Sequence, residues 1–112
     1  MAYDEALAAR IRELLDGEPN LSEQEMFGGL AFLVGGNMAI AASGQGGVLV
    51  HVDPEGSDEL LATTDADEFE MRGRLMAGWL RVKSEHLGTV TELAKWVELG
   101  ATYARSLPRK KK

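Results

Sequence analysis

The stretch from Glu25 to Val52 constrains this chain more than any other. Three apolar runs lie there, Glu25 to Val34, Met38 to Ser43 and Val48 to Val52, separated by Gly35-Gly36-Asn37 and by Gly44-Gln45-Gly46-Gly47. Glycine and asparagine accept positive φ, so these separators are turns. Turns this short join neighbouring strands and force antiparallel pairing. Alternation assigns Met38, Ile40 and Ala42 to one face of the second strand, and Ala39, Ala41 and Ser43 to the other. In the third strand Val48, Val50 and Val52 oppose Leu49 and His51. Neither strand shows a solvated face, although a sheet covered on one side alternates apolar with polar. A layer of helices shelters one face. The second face needs its own cover, from a short helix, a second copy of the chain or a partner. This pattern favours a binding module, and a homodimer in particular.

Around this meander the remaining elements are legible. Tyr3, Leu7, Ile11, Leu14 and Leu15 recur at helical spacing, and Gly17 with Pro19 stops a helix over about residues 3–16. Asp53-Pro54 reads as an N-cap followed by proline at the first helical position, opening a short helix over 55–61. Glu68 to Met71 and Gly78 to Lys83 read as two further strands about a turn at Arg72-Gly73-Arg74. Thr89 and Glu92 have capping-box spacing. Leu93, Trp96, Val97, Gly100, Ala104 and Leu107 then form one stripe of a last helix, ended by Pro108. The order α-β(3)-α-β(2)-α predicts a two-layer α+β fold with a mainly antiparallel five-stranded sheet, one domain over 1–108, and a basic disordered tail over 109–112.

The chain has no cysteine, which removes disulfides, thiol catalysis and cysteine-held metal. The first residues are acidic rather than basic, and no apolar run is long enough to cross a bilayer as a helix, so the expected compartment is the cytoplasm with no membrane contact. Net charge is −6, unevenly spread. Residues 1–70 carry two bases against fifteen acids, a balance of −13; residues 71–112 carry ten bases against three acids, a balance of +7. Either the two halves attract each other within the fold or the basic half meets an anionic partner.

Few residues suggest chemistry. His51, with Asp53 two positions on, has the makings of an oriented imidazole, but no nucleophile completes the set. The glycine clusters lie within or between strands and lack the helix that a phosphate-binding loop opens. The carboxylates around Asp58 and Asp67 read as solvated surface, and no metal or cofactor is expected. Trp79, Arg81 and Lys83 alternate along one strand and, with Leu49 and His51, form the expected interaction face. Arg72 and Arg74 are the expected anion-binding pair. An aromatic-cationic sheet face also suits nucleic acid, which makes a nucleic-acid-binding accessory protein the alternative. A small-molecule binder or enzyme built around His51 ranks below both.

Several of these segments also carry a family resemblance. Met26-Phe27-Gly28-Gly29-Leu30-Ala31-Phe32, Gly36-Asn37-Met38, Met76-x-Gly78-Trp79, Leu93-x-x-Trp96-Val97 and Ala104-Arg105-Ser106-Leu107-Pro108 resemble the N-terminal domain of the TfoX/Sxy competence regulators. The resemblance implies a secretion-chaperone-like two-layer fold and a role in transcription regulation of competence genes, acting with a cyclic-AMP receptor protein at promoters. It implies no catalytic residues. Full-length regulators of that kind carry a second, helical domain, so the chain reads as a stand-alone first domain.

Overall fold

In the computed structural model, the described residues are 4–26, 29–44, 46–64, 66–71 and 73–108. Asp4 caps the first helix by accepting the Leu7 N–H at 3.1 Å. Helix α1 runs Glu5–Leu14 and buries Leu7, Ala8 and Ile11. Strands β1 (Leu21–Met26), β2 (Gly29–Val34), β3 (Asn37–Ala42) and β4 (Val48–His51) follow as an antiparallel meander. Helix α2 (Pro54–Thr63) leads to β5 (Asp67–Met71) and β6 (Arg74–Val82). A single 3₁₀ turn over Ser84–His86 precedes α3 (Val90–Ser106).

The sheet has six strands, not five, in the order β1-β2-β3-β4-β6-β5, with antiparallel pairing throughout. The additional strand, β1, begins at Leu21, ahead of the expected run Glu25–Val34, and takes only Glu25 and Met26 from it; Met26 pairs with Gly29, so β1 folds back on β2. β1 is polar, with Ser22, Glu23, Gln24 and Glu25 exposed, and apolar patterning therefore does not mark it. The caps are as expected. Asp53 accepts the Glu55 N–H at 2.9 Å with Pro54 in the first turn of α2, and Thr89 and Glu92 form a reciprocal capping box on α3.

The main core lies between the helices and one face of the sheet. Phe32, Ile40, Val48, Val50, Leu80 and Val82 meet Ile11 of α1 and Leu93 and Trp96 of α3 there, with Leu60 and Leu61 of α2 at its margin. The last turns of α3 are tied down where Asn37 Nδ2 donates to the Pro108 carbonyl at 2.9 Å.

β3 departs from simple alternation. Phe32 pairs with Ile40 but Leu33 pairs with Met38, so Ala39 is the extra residue of a bulge. The bulge turns Ala39 toward α3, beside Ala104, and places Met38 on the opposite face with Ala41. The expected grouping of Met38 with Ile40 and Ala42 is corrected accordingly. α3 comes close to the sheet at this point: a Cβ on Gly100 would fall on the Ala39 carbonyl oxygen.

The second face is also buried. Ala31, Leu33, Met38, Ala41 and Leu49 form a second apolar cluster, each at most 9% exposed, with Phe69 of β5 and Trp79 of β6 packed against it. The chain thus shelters both sides of β3 and β4 by itself, and the need for a second copy to cover them lapses. The tail over 109–112 and Arg72 lie outside the described residues, as do the side chains of Arg74 and its three successors.

Candidate functional site

Two cross-strand pairs bring four of the expected site residues together. β4 and β6 align Leu49 with Arg81 and His51 with Trp79. Period-two alternation puts all four on the sheet face opposite the main core, at whose edge α3 still reaches His51. Leu49 is 5% exposed and lies beneath its neighbours, so a partner would meet this patch through the other side chains. Arg81 is half-buried; its guanidinium donates to the Gly46 carbonyl at 3.4 Å, and its Nε is enclosed. Its long stem serves as packing here, as arginine stems commonly do. Lys83 follows the last residue of β6 and is exposed.

His51 is the junction of the site. Its ring stacks on Trp79 with centroids 4.0 Å apart and planes 9° from parallel. Tyr103 of α3 meets the same ring edge-on at 5.0 Å. Nδ1 lies 3.1 Å from the Met38 carbonyl oxygen. A carbonyl only accepts, so Nδ1 carries the hydrogen in this contact. The β3–β4 ladder ends at Ile40 and Val50, next to the Ala39 bulge, and the imidazole fills in beyond its end. Sheet, bulge and α3 therefore all hold one ring. Asp53, expected to orient His51, lies past the end of β4 and serves as the cap of α2.

The Trp79 position depends on the glycine before it. Gly78 has φ of 84°, and its carbonyl accepts the Val52 N–H at 2.7 Å. A side chain there would meet Pro54 and the Val52 carbonyl. This close approach of β6 to the start of α2 explains Gly-Trp as a unit: the glycine permits the turn of backbone that aims the indole.

On the helical side of Tyr103 lies a groove of about 560 Å³ between α2 and α3. Val52 forms its floor, Leu60 and Leu99 its apolar walls, and Asp53, Glu59 and Glu98 its rim. His51 stands behind Tyr103 without lining the groove. None of the groove residues except Asp53 figured in the expected site. The signal for them was present: Leu99 and Tyr103 form an i, i+4 pair beside the main stripe of α3, and Leu99 packs against the edge of the core while only partly buried.

Of the ion pairs, Arg12–Glu23 and Arg105–Glu18 lie away from both features, while Arg105 also reaches the groove-lining Glu98 carboxylate at 3.5 Å. Arg105 grips Glu18 with a fork of hydrogen bonds, the shortest at 2.7 Å, and joins the end of α3 to the turn after α1. The hydrogen bonds from Arg105, aided by its charge and opposed by desolvation, hold the Glu18 carboxyl below the usual carboxylate range. Arg12 does the same for Glu23 on β1. Arg105–Glu18 joins the acidic and basic halves of the chain, and Asp67 of β5 lies directly opposite Arg81 of β6. The charge asymmetry is thus met in part within the fold. Among the described residues no group of three or more His, Cys, Asp or Glu side chains could hold a metal ion, and no helix is long and apolar enough to cross a membrane.

No curated protein matches the chain. A family model does, that of the TfoX N-terminal domain, over residues 13–104. The match runs from within α1 to the last turns of α3, and so takes in the whole sheet, the Ala39 bulge, the Gly78-Trp79 unit and the stripe of α3. With most of its length matched and its three helices on an antiparallel sheet in place, the chain belongs to the TfoX N-terminal domain family.

Proposed function

We propose that this domain is a non-enzymatic regulatory module that acts by contact with another protein, in the control of transcription that TfoX/Sxy regulators exert over competence genes. The observation that carries this reading is Trp79: a partly exposed indole on the sheet face opposite the main core, stacked at 4.0 Å on a histidine that is itself held from two other sides. An aromatic fixed before binding loses little conformational freedom on contact, and such residues dominate interface energetics. Half-buried Arg81 and exposed Lys83 follow it in the chain on one side of the indole, a polar border to the anchor.

The partner is a different protein rather than a second copy. The apolar faces of β3 and β4 are closed within one chain, and the edge strands β1 and β5 both present exposed acids, Glu23 and Glu25 on one and Asp67 and Glu68 on the other. Edge-to-edge pairing of two copies would juxtapose like charges. Direct nucleic-acid binding has less support, because the Arg81 guanidinium is turned to the Gly46 carbonyl and half-buried.

The test is a titration of the domain against a cyclic-AMP receptor protein bound to promoter DNA, followed by fluorescence anisotropy of labelled DNA. The wild-type chain is expected to form the ternary complex, and Trp79→Ala to weaken it about tenfold or more while still unfolding cooperatively. Absence of a ternary complex with the wild type, or unchanged affinity in the variant, overturns the proposal.

A further inference from the structure

The groove between α2 and α3 has a chemical character of its own. Its apolar part, Val52, Leu60, Leu99 and one side of Tyr103, suits a hydrocarbon or aromatic body. Its polar part is almost entirely acceptor. Asp53, Glu59 and Glu98 are carboxylates, and among the described residues no lysine, arginine or histidine lines it, although Arg105, outside the lining, pairs with Glu98 at 3.5 Å. The hydroxyl hydrogens are used within the helices: Thr63 donates to the Glu59 carbonyl at 2.8 Å, Thr102 to the Glu98 carboxylate at 2.9 Å and Ser106 to the Tyr103 carbonyl at 2.6 Å. These hydroxyls keep only acceptor capacity, and among the described lining side chains the Tyr103 phenol is left with a hydrogen to give. An anion would find three carboxylates and a single phenol donor. A ligand with an ammonium group and an apolar body matches both halves of the lining.

Size separates a small ligand from a protein segment. About 560 Å³ falls within the ordinary range of small-molecule sites. Eleven described residues line it, whereas a stable protein interface engages roughly 20–30 residues a side. We infer that the α2–α3 groove binds a small amphipathic organic amine, with the ammonium at Glu59 and Glu98, where it competes with the 3.5 Å Arg105 contact for the Glu98 carboxylate, and the apolar body against Leu60, Leu99 and Tyr103. The site lies apart from the Trp79 patch but is joined to it through the Tyr103–His51 contact, so an occupant would press on the residue that positions the indole.

The experiment is an amide-resolved NMR titration of the full chain with three probes of similar shape: phenethylammonium, 2-phenylethanol and 3-phenylpropionate. The amine is expected to shift the Leu60, Leu99 and Thr102 amides in a saturable way, the alcohol more weakly, and the carboxylate not at all. A Glu59→Gln, Glu98→Gln double variant should weaken the amine about tenfold, because two exposed carboxylates each contribute modestly. Both positions are exposed, and a well-dispersed spectrum checks that the variant folds. If it does not, the ranking of the three probes on the wild type decides alone. Equal binding of amine and carboxylate, no saturable shifts, or a folded double variant that binds the amine unchanged overturns the inference.

Discussion

At the scale of single residues, most polar groups with chemical potential are committed to holding the fold. Asp53 and Thr89 cap helices, His51 donates to a main-chain carbonyl, and Arg105 and Arg12 hold carboxylates. The last pair of contacts has a consequence in acid. Glu18 and Glu23 ionise more readily folded than unfolded, so the stability they contribute is fully present above the unfolded glutamate value, about 4.3. It fades as pH falls through their lower folded values. Urea midpoints measured from pH 7 down to pH 3 should therefore drop for the wild type, and drop less for an Arg12→Ala, Arg105→Ala double variant. At neutral pH that variant should lose about 1 kcal/mol or less per pair, since both guanidinium groups are about half exposed. An identical pH profile for the two proteins would assign the acid sensitivity elsewhere.

Among the elements, α3 and β3 depend on each other most closely. Gly100 faces the carbonyl of the bulged Ala39 with no space for a side chain. Glycine inside a helix ordinarily costs about 1 kcal/mol against alanine. At Gly100 the clash with main chain outweighs that gain, and Gly100→Ala should cost a net 1–2 kcal/mol or so in urea unfolding. Gly56 in α2 has nothing within 4 Å of an added Cβ, and Gly56→Ala should stabilise by about 0.5–1 kcal/mol. Stabilisation by both substitutions would mean that α3 does not approach the bulge as described. This contrast also marks what sequence reading reaches. The caps of α2 and α3, the α3 stripe with Trp96 in the core, and the pairing of β3 with β4 follow from local spacing, and the structure has them. The division of β1 from β2 was hidden because β1 is polar, and its strand character comes from the backbone it pairs with. The bulge was hidden because Met38, Ala39 and Ile40 are all apolar, and nothing in such a run says which residue is the extra one. The His51–Tyr103 contact spans more than fifty residues, and no periodicity reports it. The expected interaction face was legible because alternation is local; that Leu49 lies under Arg81 was not.

For the molecule as a whole, the governing fact is a sheet closed on both faces with acidic strands at both edges. Light scattering at micromolar concentration should give a mass near 12.1 kDa at low and moderate salt alike. A stable mass of twice that value would restore the second copy as the natural partner. The order of strands carries one more implication. The 17-residue α3 follows every strand in synthesis, yet it supplies Leu93, Trp96 and Val97 to the core that Phe32, Ile40, Val48 and Val50 line. On the ribosome, the meander emerges long before α3, and α1 alone among the helices that cover its core face lies upstream of it. Ten of the chain's twelve lysines and arginines are also made late, so the early product is strongly anionic, and that charge opposes contact between neighbouring nascent chains on one message during the interval.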